Sequence, residues 1–154
     1  MNETAQQYIQ RVTAYVEGKQ PLAVQAATAE KLERLVEGVP TSELRKRPAA
    51  DKWSVSEIVA HLGDAEIVTG FRIRLILGAP GAPTAAYDQN SWVTSGHYEK
   101  RDPRKSVEQF RGLREANLAL LESLTPSSGN TTGCIPSADR KRLSILSAWL
   151  RGTI

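Results

Sequence analysis

The sequence predicts an all-α fold: a four-helix bundle with an extra N-terminal helix before it and a short fourth helix. Three observations lead there. Apolar residues recur at spacings of three and four along most of the chain. Helix start and stop signals bracket those stretches. No segment shows the apolar–polar alternation of a half-buried strand. A single domain over residues 1–154 suits this length, which is enough for one core and too short for two.

The N-terminal helix is expected over 2–18, where Tyr8, Ile9, Val12, Tyr15 and Val16 keep helical spacing and Gly18 stops them. The first bundle helix is expected over 20–38. Pro21 suits a first turn, Leu32, Leu35 and Val36 form a stripe, and Gly38 is a C-terminal stop. The connector "VPTSELRKRPAADK" has room for at most one helical turn.

The second bundle helix, 54–77, has the clearest start. Ser54 and Glu57 form an S-x-x-E capping box, with Trp53 just before the cap. Val55, Ile58, Val59, Leu62, Ala65, Val68, Phe71, Leu75 and Ile76 carry the period to Leu77, and Gly78 ends it. "GAPGAPTAAYDQNSWVTSGHYEKRD" follows as a long loop, a kind that is usually functional or disordered. Tyr87 and Trp92 favour packing over plain disorder, because large aromatics bury much apolar surface.

Asp102 as N-cap and Pro103 at the first position open the third bundle helix, 103–124. Phe110, Leu113, Asn117, Leu120 and Leu124 share one of its faces. After the loop "TPSSGNTTGCIPSADRK", a fourth helix over 141–152 carries Ile145, Leu146, Trp149 and Leu150, at about half the length of its neighbours.

Composition excludes several classes. Hydrophobic residues are 40% and charged residues 24%, as in ordinary globular proteins. The net charge of +3 does not by itself imply a nucleic-acid partner. The basic runs "LRKR", "KRDPRK" and "RKR" are short and split by acids and prolines, so they read as solvated edges. No apolar run reaches the roughly 18 residues of a membrane span. The first residues lack the basic start and apolar block of a signal peptide, so a cytoplasmic location is expected. One cysteine, Cys134, excludes an internal disulfide and any cysteine-cluster metal site.

The chemistry-bearing residues gather around His61, one turn after Glu57 and one turn before Asp64. An imidazole on the long helix can ligate a divalent metal, but such sites usually take three protein ligands. No H-x-x-x-H pair exists here, and the other reading is a hydrogen-bonded core histidine. Glu57 is explained by its capping box. Asp64 is either an auxiliary to His61 or a solvated acid paired with Arg72 or a neighbouring helix. Glu66 is expected on the surface, as is His97 in the long loop. Asn117, if buried, must find partners, and it either lines a polar pocket or bonds a nearby backbone group. Trp53 and Trp92 are the aromatic candidates for a pocket lining. Cys134 would act as a nucleophile only beside a base such as His61.

"DKWSVSEIVAHLGDAEIVTGFRIRLILGAP", then "YDQNSW", then "RDPRKSVEQFRGLREANLALLESL" resemble the DinB-like superfamily, small bacterial four-helix bundles grouped with the YfiT-like metal-dependent hydrolases. The resemblance covers roughly 20–124 and continues more weakly through "TTGCIPSADRKRLSIL". It implies a divalent metal, zinc or nickel, held by three histidines. His61 matches the one on the second bundle helix, and the other two belong to an H-x-x-x-H on the fourth. Related proteins include transferases acting on low-molecular-weight thiols, which makes a small-molecule thiol a candidate substrate.

The chain departs from that pattern where it reads "SILSAWLRGTI" and stops, without the H-x-x-x-H. A stop codon, a frameshift or divergence would each give this. An incomplete, inactive metal site is the resulting expectation, with His61 its retained ligand and Asp64 an auxiliary. A shortened fourth helix would also uncover apolar surface. At about 25 cal/mol per Å², roughly 300 Å² amounts to about 7 kcal/mol, comparable to a domain's stability. A homodimer over the gap, or the 4–17 helix as a plug, would offset that. The competing reading is a non-catalytic module binding a small molecule or a protein; nucleic-acid binding ranks below both.

Overall fold

A computed structural model of the chain describes residues 4–14, 17–79 and 82–124. All regular structure among them is helical: α1 (Ala5–Ala14), α2 (Pro21–Val36), α3 (Thr41–Leu44), α4 (Val55–Gly78), α5 (Gln89–Ser95), a 3₁₀ turn (Tyr98–Lys100) and α6 (Pro103–Ser123). The expected fourth helix, 141–152, and Cys134 lie outside the described residues.

The helix ends follow local chemistry. Ser54 accepts the Glu57 amide at 3.3 Å, and the Glu57 carboxylate takes the Ser54 amide at 2.8 Å, so the capping box is complete. Asp102 accepts the amides of Arg104 and Lys105 at 2.8 and 3.2 Å, with Pro103 where no amide is needed. Gly38 follows α2 at φ +70°, a left-handed conformation that glycine adopts without strain. The connector holds one turn, α3, as expected. The region read as an unbroken loop contains α5 and the 3₁₀ turn. Asp88 caps α5 by accepting the Asn90 amide at 2.9 Å, a start signal that sat inside "YDQNSW".

Contacts along the helices set their directions. Val36 packs near Val107, Glu33 pairs with Arg111, Arg114 bonds the Gln25 carbonyl, and Leu22 packs against the Ile73–Leu121 cluster, so α2 runs antiparallel to α6. Val59 packs with Val107, Glu66 pairs with Arg114, and Ile73 meets Leu121, so α4 runs parallel to α6. Two parallel neighbours cannot be joined by a tight turn. α4 rises about 36 Å at 1.5 Å per residue, and residues 82–102 carry the chain back along that length. The long loop is this crossover.

The stripe of α4 that meets α6 differs from the expected one. It is Val59, Gly63, Glu66, Gly70 and Ile73, spaced by four, three, four and three and all buried. Val55, Ile58 and Phe71, expected on the core face, are exposed. A Cβ on Gly63 would make only ordinary contact, 3.6 Å from the Ser106 carbonyl oxygen, whereas one on Gly70 would stand 2.5 Å from Asn117 Oδ1, so Gly70 is where this face has no room for a side chain. No described helix is long and apolar enough to cross a membrane.

Candidate functional site

His61 projects from the second turn of α4, half-buried, with the Trp53 ring edge-on at 5.2 Å between centroids. Its Nδ1 is buried without a hydrogen-bond partner. Burial pushes the imidazole below its usual range and the nearby Asp64 carboxylate opposes this, so its surroundings favour the neutral ring.

The acids around His61 are all engaged elsewhere. Glu57, 1% exposed, accepts the Ser54 amide and hydroxyl and both arms of the Arg47 guanidinium. Arg47 and then Ser54 hold its carboxyl down at about 2, against the opposing effect of burial. Asp64 is neither a solvated acid nor a partner of Arg72. It accepts the Tyr98 hydroxyl at 2.7 Å and Arg101 at 3.0 Å. Burial first, then the bond to Asp64, raises the Tyr98 phenol well above its ordinary value, so it stays a donor at neutral pH.

Glu66 corrects a sequence expectation. It is not a surface residue but 2% exposed, paired with Arg114 at 2.7 Å and bonded by Asn117 at 3.0 Å. The α4 helix turns it into the α6 interface, where a charge persists only if paired and hydrogen-bonded. Asn117 also donates to the Glu66 carbonyl at 3.2 Å and accepts from Arg74 at 3.0 Å. It finds both a backbone group and a polar network between α4 and α6.

An open cleft of about 400 Å³ lies on the crossover side of α4, lined by Asp64, Ile67, Trp92, Ser95, Gly96 and Tyr98. Trp92 is thus a lining residue of this cleft. Trp53 stands beside His61, and Asn117 in the α4–α6 interface. Tyr87 stacks on Trp92 at 4.3 Å, and Arg72 bonds the Ala85 carbonyl at 2.7 Å, which fastens the crossover to α4. His97 is on the surface at φ +48°, with its ring 3.5 Å from Glu99.

Sequence reasoning singled out Tyr87 and Trp92 in the crossover and passed over Tyr98, which is fully buried. It also missed Arg47, Arg101 and Arg114 as partners. Spacing along the chain carries no signal for pairs 10, 37 and 48 residues apart.

The described architecture is a helical bundle whose central pair is parallel and linked by a crossover, with a histidine on its longest helix. The profile of the DinB superfamily matches residues 26–151. The chain belongs to the DinB superfamily. Among curated proteins it is similar to the "Putative metal-dependent hydrolase YfiT" of Bacillus subtilis (strain 168), with 28% identity over 95 residues, 62% of this chain and 53% of that protein. The chain thus spans about half the length of that relative. Among solved structures it is similar to YfiT from Bacillus subtilis, described as a probable metal-dependent hydrolase with an unusual four-helix bundle topology. That likeness has a TM-score of 0.64 and 26% identity, covering 69% of this chain and 61% of the other.

That kinship implies a metal, and the described residues do not fit one. No three His, Cys, Asp or Glu side chains among them converge. His61 offers a single free donor, and the carboxylates on its helix are held by arginines. A zinc ion in a protein site usually takes at least three protein donors.

Proposed function

We propose that this chain is a DinB-superfamily bundle in which His61 is a solitary relic of a metal centre, and that these 154 residues do not by themselves perform metal-dependent hydrolysis or thiol transfer. One observation carries the reading: each acid on α4 near His61 is already bound to an arginine on another element. Glu57 meets Arg47, Asp64 meets Arg101 and Glu66 meets Arg114. Recruiting any of them to a metal would leave an arginine unpaired, which is costly where it is buried. The chain holds one further histidine, His97, and it sits on the surface with Glu99.

The test is metal analysis of protein purified without chelator and then equilibrated with zinc or nickel. Substoichiometric, readily dialysed metal is the expected result, unchanged by His61→Ala. One tightly bound equivalent that disappears in His61→Ala would overturn the reading.

A second reading, a non-catalytic small-molecule binding module, is favoured by the cleft beside Asp64 and Trp92. Its walls are preformed by α4, α5 and the 3₁₀ turn, as small-molecule sites generally are.

A further inference from the structure

We propose that the cleft between α4 and the crossover binds a small, flat apolar molecule that carries a protonated amine. The argument rests on which polar groups in its wall are still free. The Tyr98 hydroxyl is spent on Asp64, and the Ser95 hydroxyl donates to the Ser91 carbonyl at 2.8 Å. The Gly96 amide donates to the Trp92 carbonyl at 2.8 Å, and the Gly96 carbonyl accepts from Arg101 at 3.3 Å. The hydroxyl donors of Ser95 and Tyr98 and the Gly96 amide are thus used within the fold, and the Trp92 indole N–H is the side-chain donor left in the wall.

Acceptors remain. A carboxylate has about four lone-pair sites, and Asp64 uses two of them, one for Tyr98 and one for Arg101. The Ser95 oxygen keeps its lone pairs. A ligand group meeting these atoms must therefore donate, and a charged donor makes the stronger bond. Arg101 offsets part of the Asp64 charge, but it does not line the cleft. Its guanidinium lies 4.4 Å from the Tyr98 ring centroid.

The rest of the wall sets the body of the ligand. Trp92 presents an indole already stacked by Tyr87 on one side, and Ile67 is 50% exposed. An aromatic ring fits beside these, and an indole also attracts a cation. His61 lines none of this cleft, so the proposal is independent of any metal.

The test uses the full chain, labelled with nitrogen-15 and titrated with phenethylamine, phenethyl alcohol and phenylacetate in EDTA. These probes share one ring and differ in the charge of the tail. Phenethylamine should shift the Trp92 indole N–H and the Ile67 and Gly96 amides, with a Kd on the order of 1 mM for so small a ligand. The alcohol and the acid should each bind at least about tenfold weaker, the discrimination expected of a charge-assisted bond. Asp64→Asn removes the charge but also disturbs Tyr98 and Arg101. Ile67→Lys is the cleaner variant, because it brings a competing ammonium from an exposed position. It should abolish the shifts while leaving the thermal melt unchanged. Equal binding of the three probes, shifts confined to other residues, full binding by Ile67→Lys or loss of binding in EDTA would each overturn the proposal.

Discussion

The carboxamide of Asn117 on α6 fills the space that a side chain on Gly70 of α4 would need. A Cβ there would stand 2.5 Å from Asn117 Oδ1 and 2.9 Å from Nδ2. Asn117 cannot swing aside cheaply, because Glu66 and Arg74 hold its amide through three hydrogen bonds. Gly70→Ala should therefore destabilise the fold by about 1–3 kcal/mol, even though alanine favours a helix by about 1 kcal/mol. Gly112, on an exposed face of α6, has nothing within 4 Å of its would-be Cβ. Gly112→Ala should stabilise by about 0.5–1 kcal/mol. Urea denaturation of the two variants should thus move in opposite directions.

Glu66→Ala should be among the most damaging single changes in the described core. Arg114 is 15% exposed, and it would keep its charge and lose its carboxylate. Breaking a buried pair from one side costs about 3–5 kcal/mol. Glu66→Gln keeps an acceptor for Asn117 and should cost less. Equal midpoints for the alanine variant and the wild type would show that the pair contributes nothing.

The Glu57 carboxyl has a defined pH window. Its folded value is depressed to about 2 from the usual 4.5. A depressed acid contributes stability above the unfolded value, and that contribution is lost as pH falls through the folded one. The advantage of the wild type over Glu57→Gln should be full at pH 7 and shrink between about 4.5 and 2. Its size should be about 1–3 kcal/mol, at the lower end because Arg47 is half exposed. Denaturation at pH 7 and pH 3 measures it; a difference independent of pH would contradict the pairing.

Tyr98→Phe should loosen the crossover without unfolding the bundle. It removes one hydrogen bond to Asp64, worth about 1–2 kcal/mol, and keeps the buried ring. Hydrogen exchange should quicken across residues 96–101 while the amides of α2 and α6 keep their protection. Uniform loss of protection would mean that the turn is not a separate unit.

Helix boundaries were legible because their causes lie within about four residues. Ser54 with Glu57, Asp102 with Pro103, and Gly38 each carry their own cap chemistry, and the observed α2, α4 and α6 begin and end within two residues of the expected bounds. The capping role of Glu57 was legible for the same reason. Glu66 was not, because nothing near it in sequence says that α6 will face it. The apolar period of α4 also misled: Ile58 and Phe71 fit the stripe and are exposed, while Gly63 and Gly70 do not fit it and are buried. Hydrophobic periodicity registers large side chains, whereas the Asn117 carboxamide packed against Gly70 leaves no room for one.

The sequence by itself determined the all-helical class, the caps and the position of His61, because propensity, capping and spacing are properties of neighbouring residues. It also placed the chain among the DinB-like bundles, a kinship the superfamily match bears out. Only the tertiary structure decided that α4 and α6 run parallel, that the long loop is their crossover, and that Glu57, Asp64 and Glu66 are each held by a distant arginine. Those outcomes depend on which helix faces meet across 10 to 48 residues of chain, and a buried charge is tolerated only where such a meeting supplies its partner.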